Sequence, residues 1–143
     1  MHRIVEGIVL RETETKETDK ILTVLTRTEG KLAVVARGAR RRRSRIAAAA
    51  QLLVYSEMTL YQKGNWSILD DASTIELFDG VRQDVELLAL GSYFAELTEL
   101  LTAEDVPAPE ILSLLLNALY VLGTLRREPA QVKAAFELRL LAL

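Results

Sequence analysis

The chain has 143 residues, half of them hydrophobic, with 18 Lys and Arg against 20 Asp and Glu and a net charge of −2. That is long enough to bury a real core, in one domain or two small ones. No cysteine is present and the only histidine, His2, sits at a terminus expected to fray, which excludes a disulfide framework and a thiolate metal site and argues against structural zinc or His-based catalysis in this segment.

No run reaches the ~18 apolar residues of a membrane span. The stretch MHRIVEGIVLRETE has acidic residues where a signal peptide needs an apolar one. A soluble intracellular chain is expected. Residues 3–78 read as β. Ile4-Val5 and Ile8-Val9-Leu10 predict a first strand, Thr15 to Asp19 a polar break, and Ile21 to Thr26, rich in β-branched residues, a second strand. Glu29-Gly30 predicts a tight turn into a third strand, Lys31 to Ala36, so that strands two and three form a hairpin.

Next comes the stretch Arg37 to Arg45, Arg-Gly-Ala-Arg-Arg-Arg-Arg-Ser-Arg. It concentrates six basic residues in nine positions, with no acidic residue between Glu29 and Glu57. Ile46 to Ala50 predicts one helical turn. A long fourth strand follows, with Leu52, Val54, Met58 and Leu60 on one face and Leu53, Tyr55, Thr59 and Tyr61 on the other. Both faces are apolar enough to be largely covered, as in a small closed barrel. Gly64-Asn65 predicts a hairpin turn, and Trp66 to Leu69 a fifth strand. Five short strands in this order fit a five-stranded Greek-key barrel of the OB type, with a small β-sandwich as the alternative.

At about Thr74 the period changes from 2 to 3.6. Leu87, Leu90, Phe94, Leu97 and Leu101, widened by Tyr93 and Leu100, form one helical stripe. Asp84 and Glu86 lie near its start, where negative charge suits the helix dipole. Val106-Pro107-Ala108-Pro109 ends it, Pro109 suits the first position of a second helix, and that helix, about Ala108 to Leu125, is apolar almost all round and should be the most buried. Pro129 starts a third, with Val132, Phe136, Leu140 and Leu143 on one side. The expected class is α+β, with an OB-fold barrel over 1–79 and a helical domain over 80–143. The apolar ending, without cap or polar tail, suggests a fragment of a longer protein. Charge divides the same way, net +2 over 1–79 and net −4 over 80–143, which suggests different partners for the two parts.

Consecutive guanidiniums at Arg40, Arg41, Arg42 and Arg43, flanked by Arg37 and Arg45, cannot all be paired on one side of one element. They suit a polyanion held by charge and counterion release, without sequence readout. A solvated loop serving solubility, or a nuclear localisation signal, is the bland account. Single-strand binders add aromatic platforms to a basic groove. Trp66, Tyr61 and Tyr55 are the candidates here, and Trp66, beside a turn, is the first to test. Aromatics at strand spacing are more often core. The paired acids Asp70-Asp71 and Glu104-Asp105 are better explained by turns and caps than by acid–base chemistry.

Several short stretches carry a resemblance. They are Gly7-Ile8-Val9-Leu10, Glu17-Thr18, Thr26, Gly30, Val35 to Arg40 followed by Ser44, Tyr93 with Glu96-Leu97, and Phe136 to Leu141. In order and along the whole chain, they resemble the bacterial recombination mediator family RecO. The resemblance implies an N-terminal OB-fold, a helical domain, and a later zinc-ribbon-like insertion that this segment does not reach. Any structural zinc would lie there, so no cofactor is expected here.

The resemblance also implies a non-enzymatic, cytoplasmic, nucleoid-associated protein. Such a protein binds single-stranded and duplex DNA and anneals complementary strands. It acts with RecR and the single-stranded DNA-binding protein, whose tail is acidic, to load RecA, with no membrane partner. By position, Arg37 and Arg40 become the ordered DNA contacts. Arg41, Arg42, Arg43 and Arg45 become a mobile extension. Ala50-Gln51-Leu52 departs from the family's Leu-Gln-Pro, so the entry to the fourth strand should differ. A protein-interaction module whose arginines meet an acidic partner, or a generic OB-fold module for RNA or DNA, is the alternative.

Overall fold

A computed structural model describes residues 2–15, 17–124 and 127–143. Lys16 of the polar break and Leu125 at the end of the predicted second helix lie outside the described residues. The elements are β1 (His2–Glu14), β2 (Lys20–Thr26), β3 (Gly30–Ala36), β4 (Tyr55–Lys63), β5 (Trp66–Glu76), α1 (Asp79–Arg82), α2 (Val85–Leu101), α3 (Pro109–Thr124) and α4 (Pro129–Ala142).

The five strands close into a barrel in the order β1-β2-β3-β5-β4. All pairings are antiparallel except the closing one, a short parallel contact of Val34 with Ser67 and Val35 with Ile68. Alternation assigns the faces. Val5, Val9, Leu22, Val24, Leu32, Val34, Met58, Leu60 and Leu69 point inward and fill the barrel. The fold is thus α+β, a five-stranded OB-like barrel followed by helices.

Several boundaries differ from expectation. The fourth strand begins at Tyr55, not Leu52. Leu53 adopts a left-handed conformation (φ 67°), and the Leu52 amide is taken by the Glu12 carboxylate at 2.6 Å, so residues 51–53 turn instead of extending. The predicted turn over 46–50 is present, with Ala50 N–H donating to the Ile46 carbonyl. The fifth strand runs on to Glu76, held by its ladder to β4 although its second half is polar. It therefore passes the predicted change of period at Thr74. His2 does not fray; it pairs with Tyr61 in the β1–β4 ladder.

The helices cover the outer face of β1 and β2. Ile8, Leu10, Leu25, Leu53 and Tyr55 share one buried cluster with Phe94, Leu112, Leu115, Leu119, Leu122 and Phe136. Asp84 caps α2, its carboxylate accepting from the amides of Glu86 and Leu87. The buried line of α2 is Leu87, Gly91, Phe94, Ala95 and Thr98, while Leu100 and Leu101 are exposed. The predicted leucine stripe overshoots because its small and polar members carry the close approach: a side chain at Gly91 would press on Leu53, Leu119 and Val81. α3 packs against α1, α2, α4 and β2, with Leu112, Leu115, Leu119 and Leu122 fully buried. In α4, Val132, Phe136 and Leu140 are buried as expected, whereas Leu143 lies past the helix end and is exposed. Across α2 and α4, Tyr93 donates to Glu137, which Lys133 also pairs. These bonds hold the Glu137 carboxyl below its usual range.

Barrel and helices are stapled at the β2–β3 turn. Lys31 Nζ donates to the carbonyls of Glu99 (2.8 Å) and Thr102 (2.9 Å), satisfying the C-terminal end of α2 with a cation where the helix dipole favours one. Gly30 is left-handed (φ 75°), and a Cβ there would lie 2.4 Å from the Val106 carbonyl oxygen. Gly64 is also left-handed (φ 62°), but faces open space. Gly64→Ala should therefore cost only the ~1–2 kcal/mol of the backbone conformation. Gly30→Ala should cost about 3 kcal/mol or more, from conformation plus overpacking against Val106. Urea denaturation of the two variants checks the difference.

Candidate nucleic-acid interface

The connector from β3 to β4 carries the arginines. It is seated by its small apolar residues. Ala39, Ile46 and Ala50 are buried in the barrel's own cluster and close one end of it. Their burial turns the polar remainder of the loop outward. The expected mobile extension is thus a folded loop, with turns at Arg41 N–H to Gly38 C=O (3.0 Å) and Ser44 N–H to Arg41 C=O (3.2 Å).

A second set of bonds stitches it to the β1–β2 loop. The Gly38 amide donates to Asp19 Oδ1 (2.7 Å), and the Arg40 amide to the Thr18 carbonyl (2.8 Å). The Arg40 guanidinium donates to the carbonyls of Thr15 (2.8 Å) and Glu17 (2.7 Å), and pairs with Glu14 at 3.2 Å. Arg41 Nε reaches Thr18 Oγ1 at 3.2 Å. On the opposite side, Arg45 donates to the Asp70 carbonyl at 2.9 Å.

The six arginines therefore sort by partner. Arg40 is held on three oxygens; Arg41 and Arg45 are each held by one bond, with donors to spare. Arg37, Arg42 and Arg43 are exposed, and their side chains have no hydrogen bond or ion pair among the described residues. Between the loop and the outer face of β4 and β5 lies a groove of about 410 Å³. Arg37, Arg41, Arg43 and Arg45 line it together with Tyr61 and Asp70. Among the described residues Asp70 is its one carboxylate, and His2 Nε2 lies 3.2 Å from it. The electrostatic balance of the groove is strongly positive, and every donor in it suits a phosphate oxygen.

Of the predicted aromatics, Tyr61 borders this groove and Trp66 stands half-exposed at the start of β5. Tyr55 does not join them. It is buried against the helices, donating to Glu6 (2.5 Å) and accepting from Arg27, so it belongs to the core. Burial, then the bond to Glu6, raises its hydroxyl above the ordinary tyrosine range. The residues that sequence reasoning passed over are Asp19 and the carbonyls of Thr15, Glu17 and Thr18. Asp19 was legible as a turn acid; carbonyl acceptors carry no side-chain signal. The residues present do not fit a zinc site. The chain lacks cysteine, and among the described residues no cluster of three or more metal-ligating side chains exists. No helix among them is long and apolar enough to cross a membrane.

Comparison with known proteins gives two family matches. Residues 1–78 match the family described as Recombination protein O N terminal, and residues 82–143 match Recombination protein O C terminal. Relatives named DNA repair protein RecO are 37% identical in Acetivibrio thermocellus over 95% of this chain and 54% of that protein. In Symbiobacterium thermophilum the identity is 38% over 97% of this chain and 55% of that protein. In Bacillus pumilus it is 40% over 80% and 44%. The chain spans about half the length of the curated relatives it matches.

The stitching has a measurable consequence. Arg40→Ala should free the β1–β2 loop and speed exchange at the amides of Gly38 and of position 40 by about fivefold or more, since hydrogen bonds to charged groups are worth ~1 kcal/mol even when partly exposed. Arg42→Ala, which breaks no bond, should leave those amides unchanged. Residue-resolved hydrogen exchange reads both.

Proposed function

The chain belongs to the recombination protein O family of DNA repair proteins, and on that premise we propose that it is the DNA-binding part of a non-enzymatic recombination-repair mediator. In this proposal the basic groove holds the backbone of single-stranded and duplex DNA. The observation that carries it is the set of unpaired arginines, Arg37, Arg42 and Arg43, exposed on a loop that is itself fastened to the barrel. Fastening lowers the ordering cost of binding, and free guanidiniums supply the phosphate contacts. Arg41 and Arg45 add donors from fixed positions. Arg40 contributes charge while tying the loops. Trp66, exposed beyond the groove, is the aromatic contact.

A binder rather than an enzyme is supported by the groove's chemistry. Guanidiniums donate and do not exchange protons at ordinary pH, and Asp70 is already engaged by His2. Membership of the family supports the same reading of the whole protein's activity. In this reading that activity comprises annealing of complementary strands and, with RecR, loading of RecA onto DNA coated by the single-stranded DNA-binding protein. DNA contact is assigned to residues 1–79 and partner docking to residues 80–143, where the net charge is negative. The site of action is the bacterial cytoplasm, at the nucleoid.

Fluorescence anisotropy with single-stranded oligonucleotides across a salt series tests the groove. Neutralising ~3 to 5 phosphates gives a slope of log affinity against log salt of about −2 to −3.5. The triple variant Arg37→Ala, Arg42→Ala, Arg43→Ala should weaken all sequences alike and reduce that slope by about 2. Absence of binding at low salt would sink DNA contact by this chain.

A further inference from the structure

Phosphate contact leaves the outer face of β4 and β5 unexplained. The register defines that face. Val35 pairs with Ile68, Ile68 with Tyr61, and Tyr61 with His2, so these four form one row across β3, β5, β4 and β1 on the outside of the barrel. The inner row beside it, Leu60 with Leu69, is core. Lys63 pairs with Trp66 one step further along the same outer face. Trp66 is therefore the diagonal neighbour of Tyr61, a relation that sets side chains ~7–8 Å apart. One ring borders the basic groove and the other stands 48% exposed beyond it.

Neither ring belongs to a hydrophobic core among the described residues: Tyr61 lies outside both buried clusters, and so does Trp66. The Tyr61 ring is nonetheless fixed. The His2 ring packs against it at 5.6 Å with a 50° tilt, and His2 is itself held by Asp70. A partly exposed aromatic held by its neighbour, beside free guanidiniums, costs little further entropy when a planar ligand stacks on it.

We propose that Tyr61 and Trp66 are successive base-stacking platforms, making this face a track for single-stranded DNA whose phosphates are held by the arginine loop. It rests on the DNA-binding function proposed above, and adds base contact to phosphate contact. A duplex cannot use the track, because its base faces are turned inward on each other; an unpaired strand presents them. The ~7–8 Å between platforms is about twice the ~3.4 Å rise of a stacked strand, so the bound strand is unstacked there. Stacking accepts any base, so the track adds strand-state preference without sequence preference.

Three probes of equal length separate the contributions: oligothymidylate, an abasic oligonucleotide with the same phosphates, and a blunt duplex. Trp66 is the chain's one tryptophan, so its emission reports on this platform alone. Oligothymidylate should quench it and the abasic strand should not. Tyr61→Ala should weaken oligothymidylate by about 5- to 150-fold, the range for one lost stacking contact. Binding of the abasic strand and the duplex should hold, and Tyr61→Phe should retain wild-type affinity, keeping the ring. Equal affinity for the abasic strand and oligothymidylate overturns the track and leaves the phosphate groove standing, as does equal weakening of all three probes by Tyr61→Ala. If none of the three probes binds at low salt, the groove and the track fail together.

Discussion

The closing seam of the barrel is the constraint from which the interface follows. β3 and β5 meet in a parallel contact only two residue pairs long, Val34 with Ser67 and Val35 with Ile68. Two residues beyond Val35, the chain leaves the sheet at Arg37, on the same outer face. The seam thus sets the arginine loop against β5, and β5 carries β4 and Tyr61 alongside it through the ladder. A parallel connection cannot be a tight turn; it needs a crossover of a dozen or more residues. The connection from β3 to β5 runs through residues 37–54 and then β4, and its first part provides the space in which a charged loop can sit.

Seating that loop sets two demands against each other. Six arginines in one segment repel one another, and a loop held only by solvent would spread them. The fold answers with burial and with acceptors. Ala39, Ile46 and Ala50 go into the barrel end, and Arg40 takes two carbonyls of the β1–β2 loop and the carboxylate of Glu14 at the end of β1. Part of the positive charge is consumed in holding the rest in place. The number of arginines therefore overstates the number available to a ligand, and position in the run does not predict which are free. Of Arg37 and Arg40, the two that match the family pattern by position, Arg40 is the most heavily engaged of the six arginines, whereas Arg37 is exposed.

Much of the fold was legible, and the failures have a common cause. Alternation located the strands, Gly30 and Gly64 marked both hairpin turns, and Asp84 with Pro109 and Pro129 marked helix starts. These signals are local. The polar second half of β5 has no apolar alternation of its own, and is a strand because β4 supplies its partners. α1, a single turn, has too few residues to show a period. The α2 stripe was misplaced at its end because Gly91, Ala95 and Thr98, not large side chains, make the tight approach. For the interface, the basic run and the aromatics were visible as residue types. Their sorting was not, since Arg40 is fixed mainly by backbone carbonyls and Tyr61 is placed by register. Both are properties of a distant strand or loop, absent from the local string.

The helices bear on the interface through the barrel core, not through contact with the groove. They cover the outer face near Ile8, Leu25 and Tyr55, whereas the groove and its aromatics occupy the outer face at Val35, Ile68 and Tyr61. The barrel is therefore a wall with a basic side and a side covered by an acidic helical part. Lys31 and Gly30 fasten the second of these at the far tip of the β2–β3 hairpin, the strand pair whose other end launches the arginine loop. The helices and the groove thus occupy different stretches of the outer face of the same strands, with Tyr55 under the helices and Tyr61 at the groove on β4.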